Sequence, residues 1–353
     1  MATDRDPGKY IRRNVRDMDG YTPGEQPSDP DVIKLNTNEN PYPPSPAINA
    51  VLENLALAKM RRYPDPLATE LRTAIAQLHG CGIDHVFAGN GSDEVLALCL
   101  RAFVEAYGSV GYFEPSYSLY PVLAAIHDVE TRPVLLTDDF GWNMPSDYQA
   151  SLFFLTQPNA PTGLIYPREQ VESFCDDFDG IIVIDEAYVD FAARDCMDLA
   201  LSRSNVLVAR SFSKSYSLAG IRLGYLVGNP SLIAALYKIK DSYNINQLTQ
   251  RIGLAAVRDS AYMESNCERI IATRKRVADS LQDMDFEVYP TQTNFLWVRP
   301  CRTPALTLFE ELKKERIFVR HFPGEVTGEF LRITVGTDAE MDSFLAAVRR
   351  CQT

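Results

Sequence analysis

Short apolar runs alternate with amphipathic stretches through the middle of the chain. From about residue 85, HVFAG leads to a helix from Asp93 and SVGYF to one near Leu119, and then come TRPVLL, SLFFLT, a helix from Pro167, IIVID, NVLVARSF and RLGYLVG. Seven strand candidates with helices interleaved predict an α/β layer on a mostly parallel seven-stranded sheet, because parallel neighbours need crossover connections that cover both faces. Ligand-binding residues of such a sheet collect where its strands end.

After Gly228 the texture changes. Helical stretches over Pro230–Lys240, Leu248–Asp259 and Tyr262–Met284 precede FEVYP, NFLWV, IFVR and FLRITVG, which predicts a smaller α+β domain. The segment from Tyr21 to Pro46 is rich in Pro, Asn and Asp and reads as an extended arm. The expected division is an N-terminal arm over 1–35 packing with the small domain, a large domain over 36–245 and a small C-terminal domain over 246–353.

Composition narrows the function classes. With 353 residues, 46% hydrophobic and 23% charged, the chain suits a two-domain globular protein. No apolar run approaches the ~20 residues of a membrane span. Met1 to Asp19 has mixed charge and lacks the apolar core of an export signal, so a cytoplasmic protein is expected. The seven cysteines are scattered without a CxxC pair, and His79, Cys81 and His85 lack a converging ligand set, so neither disulfides nor a metal is expected. A net charge of −12 argues against nucleic acid as a partner. A small phosphorylated ligand would need a local cluster of arginines and amides.

Four strings at predicted strand ends carry the chemistry. SFSKSYSLAGIRLGY puts Ser211, Ser213, Lys214 and Arg222 together, a phosphate cradle beside an imine-forming amine. IIVIDEAYVDF ends a buried strand in Asp185, with Tyr188 three residues on; such a carboxylate can pair with a protonated pyridine nitrogen or simply cap the next turn. In TQPNAPTG the amide of Asn159 can donate to a ring oxygen, although such strings also form plain turns. AGNGSDE runs from strand to helix, so amides near Ser92 and Asp93 form an anion site; the third glycine of a dinucleotide loop is missing. Amine, carboxylate, ring-oxygen donor and anion site are the four needs of pyridoxal 5'-phosphate.

The order GSDE, EPSYSLY, PNAPTG, DEAYVDF, SFSKSYSLAGIRLGY and LRITVG resembles the fold-type-I pyridoxal-phosphate aminotransferases, most closely the histidinol-phosphate aminotransferases, from about Tyr21 to the C-terminus. The resemblance implies that Lys214 holds the cofactor in Schiff-base linkage and shuttles the proton, that Asp185 partners the ring nitrogen, and that Asn159 and Tyr188 contact the ring oxygen. It implies further that Tyr117 stacks on the ring and that Ser92, Asp93, Ser211, Ser213 and Arg222 surround the phosphate, with Tyr63 reaching it from the partner subunit of a homodimer. Tyr21, Arg320 and Arg332 would bind the phosphate or carboxylate of the substrates. One departure is Ala160, where many members carry a second asparagine.

The activity so implied is amino transfer from histidinol phosphate to a 2-oxo acid, 2-oxoglutarate in the family. The alternatives are a decarboxylase of a phosphorylated amino acid, an aromatic amino acid aminotransferase of the same fold, and a non-catalytic cofactor-binding regulator.

Overall fold

The computed structural model describes residues 6–352. The arm contributes a two-residue strand, β1 (Ile33–Lys34). The seven strand candidates form β2 (Val86–Gly89), β3 (Ser109–Glu114), β4 (Glu130–Leu135), β5 (Leu152–Thr156), β6 (Ile181–Asp185), β7 (Val206–Ser211) and β8 (Gly224–Gly228). They make one sheet in the order β2-β8-β7-β6-β5-β3-β4, parallel except for β8, which runs antiparallel to both of its neighbours.

Local sequence explains who sits where. Strands β5 and β7 are buried along their whole length and β6 along nearly all of it, as central strands covered on both faces must be. TRPVLL contains Pro133, which cannot donate to a ladder, and the strand that holds it lies at the sheet edge, paired with β3 alone. One apolar core, around Phe153, Phe191 and Tyr225, fills one side of the sheet; a second, around Phe87, Tyr120 and Phe154, fills the other.

The C-terminal part adds β9 (Phe286–Val288), β10 (Phe295–Pro300), β11 (Ile317–Phe318), β12 (Arg320–His321) and β13 (Leu331–Thr334). An antiparallel sheet runs β12-β13-β10-β9. IFVR, expected as a single strand, is divided: β11 pairs in parallel with β1 of the arm, while β12 pairs with β13. The chain changes sheets at Val319, whose buried side chain anchors the crossing. Leu35 of the arm joins Leu296, Leu331 and Phe344 in a third core. The long helix Ser260–Gln282 serves two cores, with Met263 and Ile270 in the first and Val277 and Leu281 in the third.

Among the described residues no helix is long and apolar enough to cross a membrane, and no group of three or more His, Cys, Asp or Glu is placed to hold a metal ion. His79 Nε2 lies 2.9 Å from the Tyr225 hydroxyl, and His85 Nδ1 lies 2.9 Å from the Gly228 carbonyl.

Candidate active site

A cavity of about 280 Å³ opens where β5, β6 and β7 end, reaching the last residue of each: Thr156, Asp185 and Ser211. Of the residues nominated from sequence, all but Asn159 and Tyr63 line it.

Asp185 is almost wholly buried. Its Oδ1 accepts from the Ala187 amide at 3.2 Å and its Oδ2 from the Tyr120 hydroxyl at 2.9 Å. Burial pushes its carboxyl up to about 6, against the pull of those two donors. An isolated buried carboxylate is costly, so this position favours a cationic partner within the cavity.

Lys214 follows β7 in a turn held from both sides. The Lys214 and Ser215 carbonyls accept from Asn40 Nδ2 at 3.2 and 3.0 Å, and Lys214 Nζ donates to the Thr37 carbonyl at 3.2 Å. The amine thus lies in the cavity beside the arm and 5.8 Å from the centre of the Tyr188 ring.

The anion cradle depends on close backbone approach. Gly91, at φ +88°, precedes the helix Ser92–Phe103, and a Cβ there would lie 2.8 Å from Arg222 Nη2. A Cβ on Gly224 would lie 2.5 Å from the Ser92 amide nitrogen. Two glycines therefore bring the helix N-terminus, β8 and Arg222 together. Arg222 itself has φ +52° and donates to Asp93 Oδ2 at 3.1 Å and Ser213 Oγ at 3.3 Å. The donor set of helix amides, two serines and a guanidinium is chemically suited to a phosphate.

Tyr117 donates to Asp93 Oδ1 at 3.1 Å, and burial raises its pKa. Tyr21 meets it edge to face at 6.1 Å between ring centres, bringing the arm over the cavity. At the far wall Arg320 and Arg332 project from β12 and β13. Arg332 Nη2 donates to the Asn36 carbonyl at 3.1 Å, while its buried Nε has no partner among the described residues. Both guanidinium groups lie over Phe322, at 5.3 and 5.1 Å from the ring centre.

Two nominated residues stand elsewhere. Asn159 lies behind the wall that Ala160 and Pro161 form; its Nδ2 donates to the Pro115 carbonyl at 3.2 Å and Thr162 Oγ1 at 3.0 Å, since the turn folds its side chain inward. Its amide is therefore engaged by its own turn at Thr162 and by the Pro115 carbonyl of the neighbouring loop. Tyr63 is 79% exposed and stacks on Tyr243 at 4.3 Å, outside the cavity.

Sequence reasoning missed Asn38, Tyr120 and Phe322. Asn38 is buried with φ +58°, donates to the Tyr188 hydroxyl at 2.9 Å and accepts from Thr334 Oγ1 at 3.0 Å, tying the arm to both parts of the molecule. The buried Asn294 donates to the Asn38 carbonyl at 2.9 Å. Tyr120 had a signal: it follows Tyr117 by three residues at the start of a helix, where that spacing brings side chains to one face.

The fold and the cavity are those of a pyridoxal-phosphate-dependent transferase. Residues 30–348 match the family model of class I and II aminotransferases, and the chain belongs to that family. Within it, the chain is 43% identical over 347 residues to the histidinol-phosphate aminotransferase of Chromohalobacter salexigens, covering 96% of this chain and 98% of that one. It is 42% identical over 340 residues to the histidinol-phosphate aminotransferase of Synechocystis sp., with 96% and 97% covered. The crystal structure of histidinol-phosphate aminotransferase from Sinorhizobium meliloti in complex with pyridoxal-5'-phosphate superposes with a TM-score of 0.82 at 26% identity, over 91% of this chain and 90% of that one.

Proposed function

We propose that this chain moves an amino group between histidinol phosphate and 2-oxoglutarate in histidine biosynthesis, with pyridoxal phosphate held in the cavity. The observation that carries the proposal is the pairing, in one cavity, of a lysine and a buried carboxylate with two arginines that have no carboxylate partner among the described residues. An amine-handling centre next to a dianion site suits an amino donor that also carries a phosphate.

The residues fit the cofactor. The donors around Gly91 and Arg222 suit its phosphate, Asp185 suits its ring nitrogen and Lys214 its aldehyde. When bound, the cofactor draws electrons from the substrate Cα. The Asp185 carboxylate would accept a hydrogen bond from the protonated ring nitrogen, Tyr117 would cover the ring face, and Tyr188 would contact the ring oxygen. Asn159 would join Tyr188 by exchanging its Thr162 bond. Lys214 would hold the cofactor's aldehyde and, as a free amine, its Nζ would take the proton from the substrate Cα. Arg332, Arg320 and Tyr21 bind the donor's phosphate and the acceptor's carboxylate in turn.

A homodimer belongs to the proposal, with Tyr63 completing the phosphate site of the partner subunit. Its support is a run of exposed apolar side chains, Leu57, Met60, Tyr63 and Leu67, joined by Tyr243. The division into an arm, a cofactor-binding part over 36–245 and a small part over 246–353, and a cytoplasmic setting, belong to it as well.

The test is a panel of amine donors with product analysis. Histidinol phosphate should be the best donor and glutamate should form from 2-oxoglutarate. Release of carbon dioxide from a phosphorylated amino acid would favour the decarboxylase instead, and preference for an aromatic amino acid the third alternative.

A further inference from the structure

Beside Asp185 a line of hydroxyl groups runs from the buried Tyr120 through Thr156 to Ser116, the last two of which line the cavity. Tyr120 is fully buried, its ring stacked on Phe154 at 4.6 Å between centres and edge-on to Tyr117 at 5.6 Å. Its hydroxyl donates to Asp185 Oδ2 at 2.9 Å and lies 2.6 Å from Thr156 Oγ1, which lies 3.0 Å from Ser116 Oγ. A hydroxyl has one proton to give. With the Tyr120 proton on Asp185, Thr156 must donate to Tyr120, and Ser116 donates either to Thr156 or to Asn159 Oδ1 at 3.1 Å. Thr156 and Tyr120 thus donate in sequence towards the carboxylate.

We infer that Tyr120 is a positioning residue for Asp185: its hydroxyl, oriented by Thr156, holds the carboxylate ionised and aimed into the cavity. The inference rests on the proposal that Asp185 pairs with the ring nitrogen of pyridoxal phosphate. Burial works against ionisation of Asp185, and so does the charge of Asp93; the charge of Lys214 and the Ala187 amide work for it. The amide serves Oδ1 and is set by the backbone, so Oδ2 depends on Tyr120. Stacking on Phe154 and the edge-to-face contact with Tyr117 keep the phenol from swinging away. Without that donor Asp185 would be more basic, and the proton shared with the ring nitrogen would shift towards it.

The test is the nitrogen resonance of holoenzyme loaded with pyridoxal phosphate labelled with ¹⁵N in the ring, read at neutral pH beside kcat and KM. Wild type should give the protonated position and Asp185→Asn the unprotonated one. Tyr120→Phe, which keeps the stacked ring, should move the resonance towards the unprotonated position and lower kcat about tenfold, with little change in donor KM. Thr156→Val should move it the same way by less, and Thr156→Ser should restore it. An unmoved resonance in Asp185→Asn overturns the assignment of Asp185 itself. Movement in Asp185→Asn but none in Tyr120→Phe overturns the role of Tyr120 alone. Should Tyr120→Phe not fold, identical resonances in Thr156→Val and wild type overturn it equally.

Discussion

Arg320 and Arg332 are direct cross-strand partners in the antiparallel pair β12 and β13, two like charges set opposite each other on one wall of the cavity. Like charges in that register destabilise a sheet. Burial pulls the Arg332 guanidinium below its ordinary pKa, and the Arg320 charge adds to the pull. An anion shared between them would offset both the burial of Arg332 and the repulsion of Arg320, as the proposed phosphate clamp requires.

Removing one member of the pair should therefore act on phosphate recognition. Wild-type enzyme should prefer histidinol phosphate strongly over histidinol, and Arg332→Ala should erase most of that preference. A loss of about 10–100-fold in kcat/KM for the phosphorylated donor corresponds to one or two charge-assisted hydrogen bonds. Equal use of both donors by the wild type would refute the phosphate clamp.

Lys214→Ala should abolish turnover while leaving the fold intact, because the amine carries the proton transfer, a contribution of about 10²–10⁴-fold by itself. Circular dichroism and melting temperature should match wild type. Near-normal turnover in a preparation free of wild-type enzyme would remove Lys214 from the mechanism.

Gly91→Ala should weaken retention of pyridoxal phosphate by roughly tenfold or more, since φ +88° strains any residue with a Cβ and a Cβ there, 2.8 Å from Arg222 Nη2, would push the guanidinium out of the cradle. Gly220→Ala is the control, as a Cβ there meets nothing within 4 Å. The readout is cofactor loss on dialysis, followed by absorbance; equal loss from the two variants would count against the cradle.

In protein freed of cofactor, Asp185 should make stability fall as pH rises. Its folded pKa of about 6 lies above its ordinary 3.8, so the folded state holds the proton more tightly and that advantage is lost between about pH 4 and 6. The difference between wild type and Asp185→Asn should change by about 3 kcal/mol across that window, read by denaturant unfolding. A flat difference would mean that the carboxyl is not desolvated.

If Tyr63 reaches the partner's site, Tyr63→Ala and Lys214→Ala subunits, each inactive alone, should regain part of the activity when mixed as heterodimers. No recovery after verified subunit exchange would place Tyr63 outside any active site.

Much of this molecule was legible in its sequence. All seven strands of the large sheet were visible, the central ones because strands of a parallel sheet buried on both faces appear as unbroken apolar runs, IIVID above all. Lys214, Asp185, Arg222 and Ser92 could be nominated because each stands at a strand end beside residues of matching chemistry, and the structure brings these four to one cavity. Contacts across long sequence distances left no such trace. The division of IFVR between two sheets depends on β1, nearly three hundred residues earlier. Tyr120 serves Asp185 and Asn38 serves Tyr188 across gaps of 65 and 150 residues.

The sequence alone determined the α/β layer, its strand ends and the chemistry gathered there, because apolar periodicity and local turn residues act over a few neighbouring positions. The tertiary structure decided which of those groups share a cavity, that Asn159 turns inward while Tyr63 stays outside, and that two arginines stand opposite each other. Those outcomes follow from packing and desolvation between distant segments, and no short stretch of chain encodes them by itself.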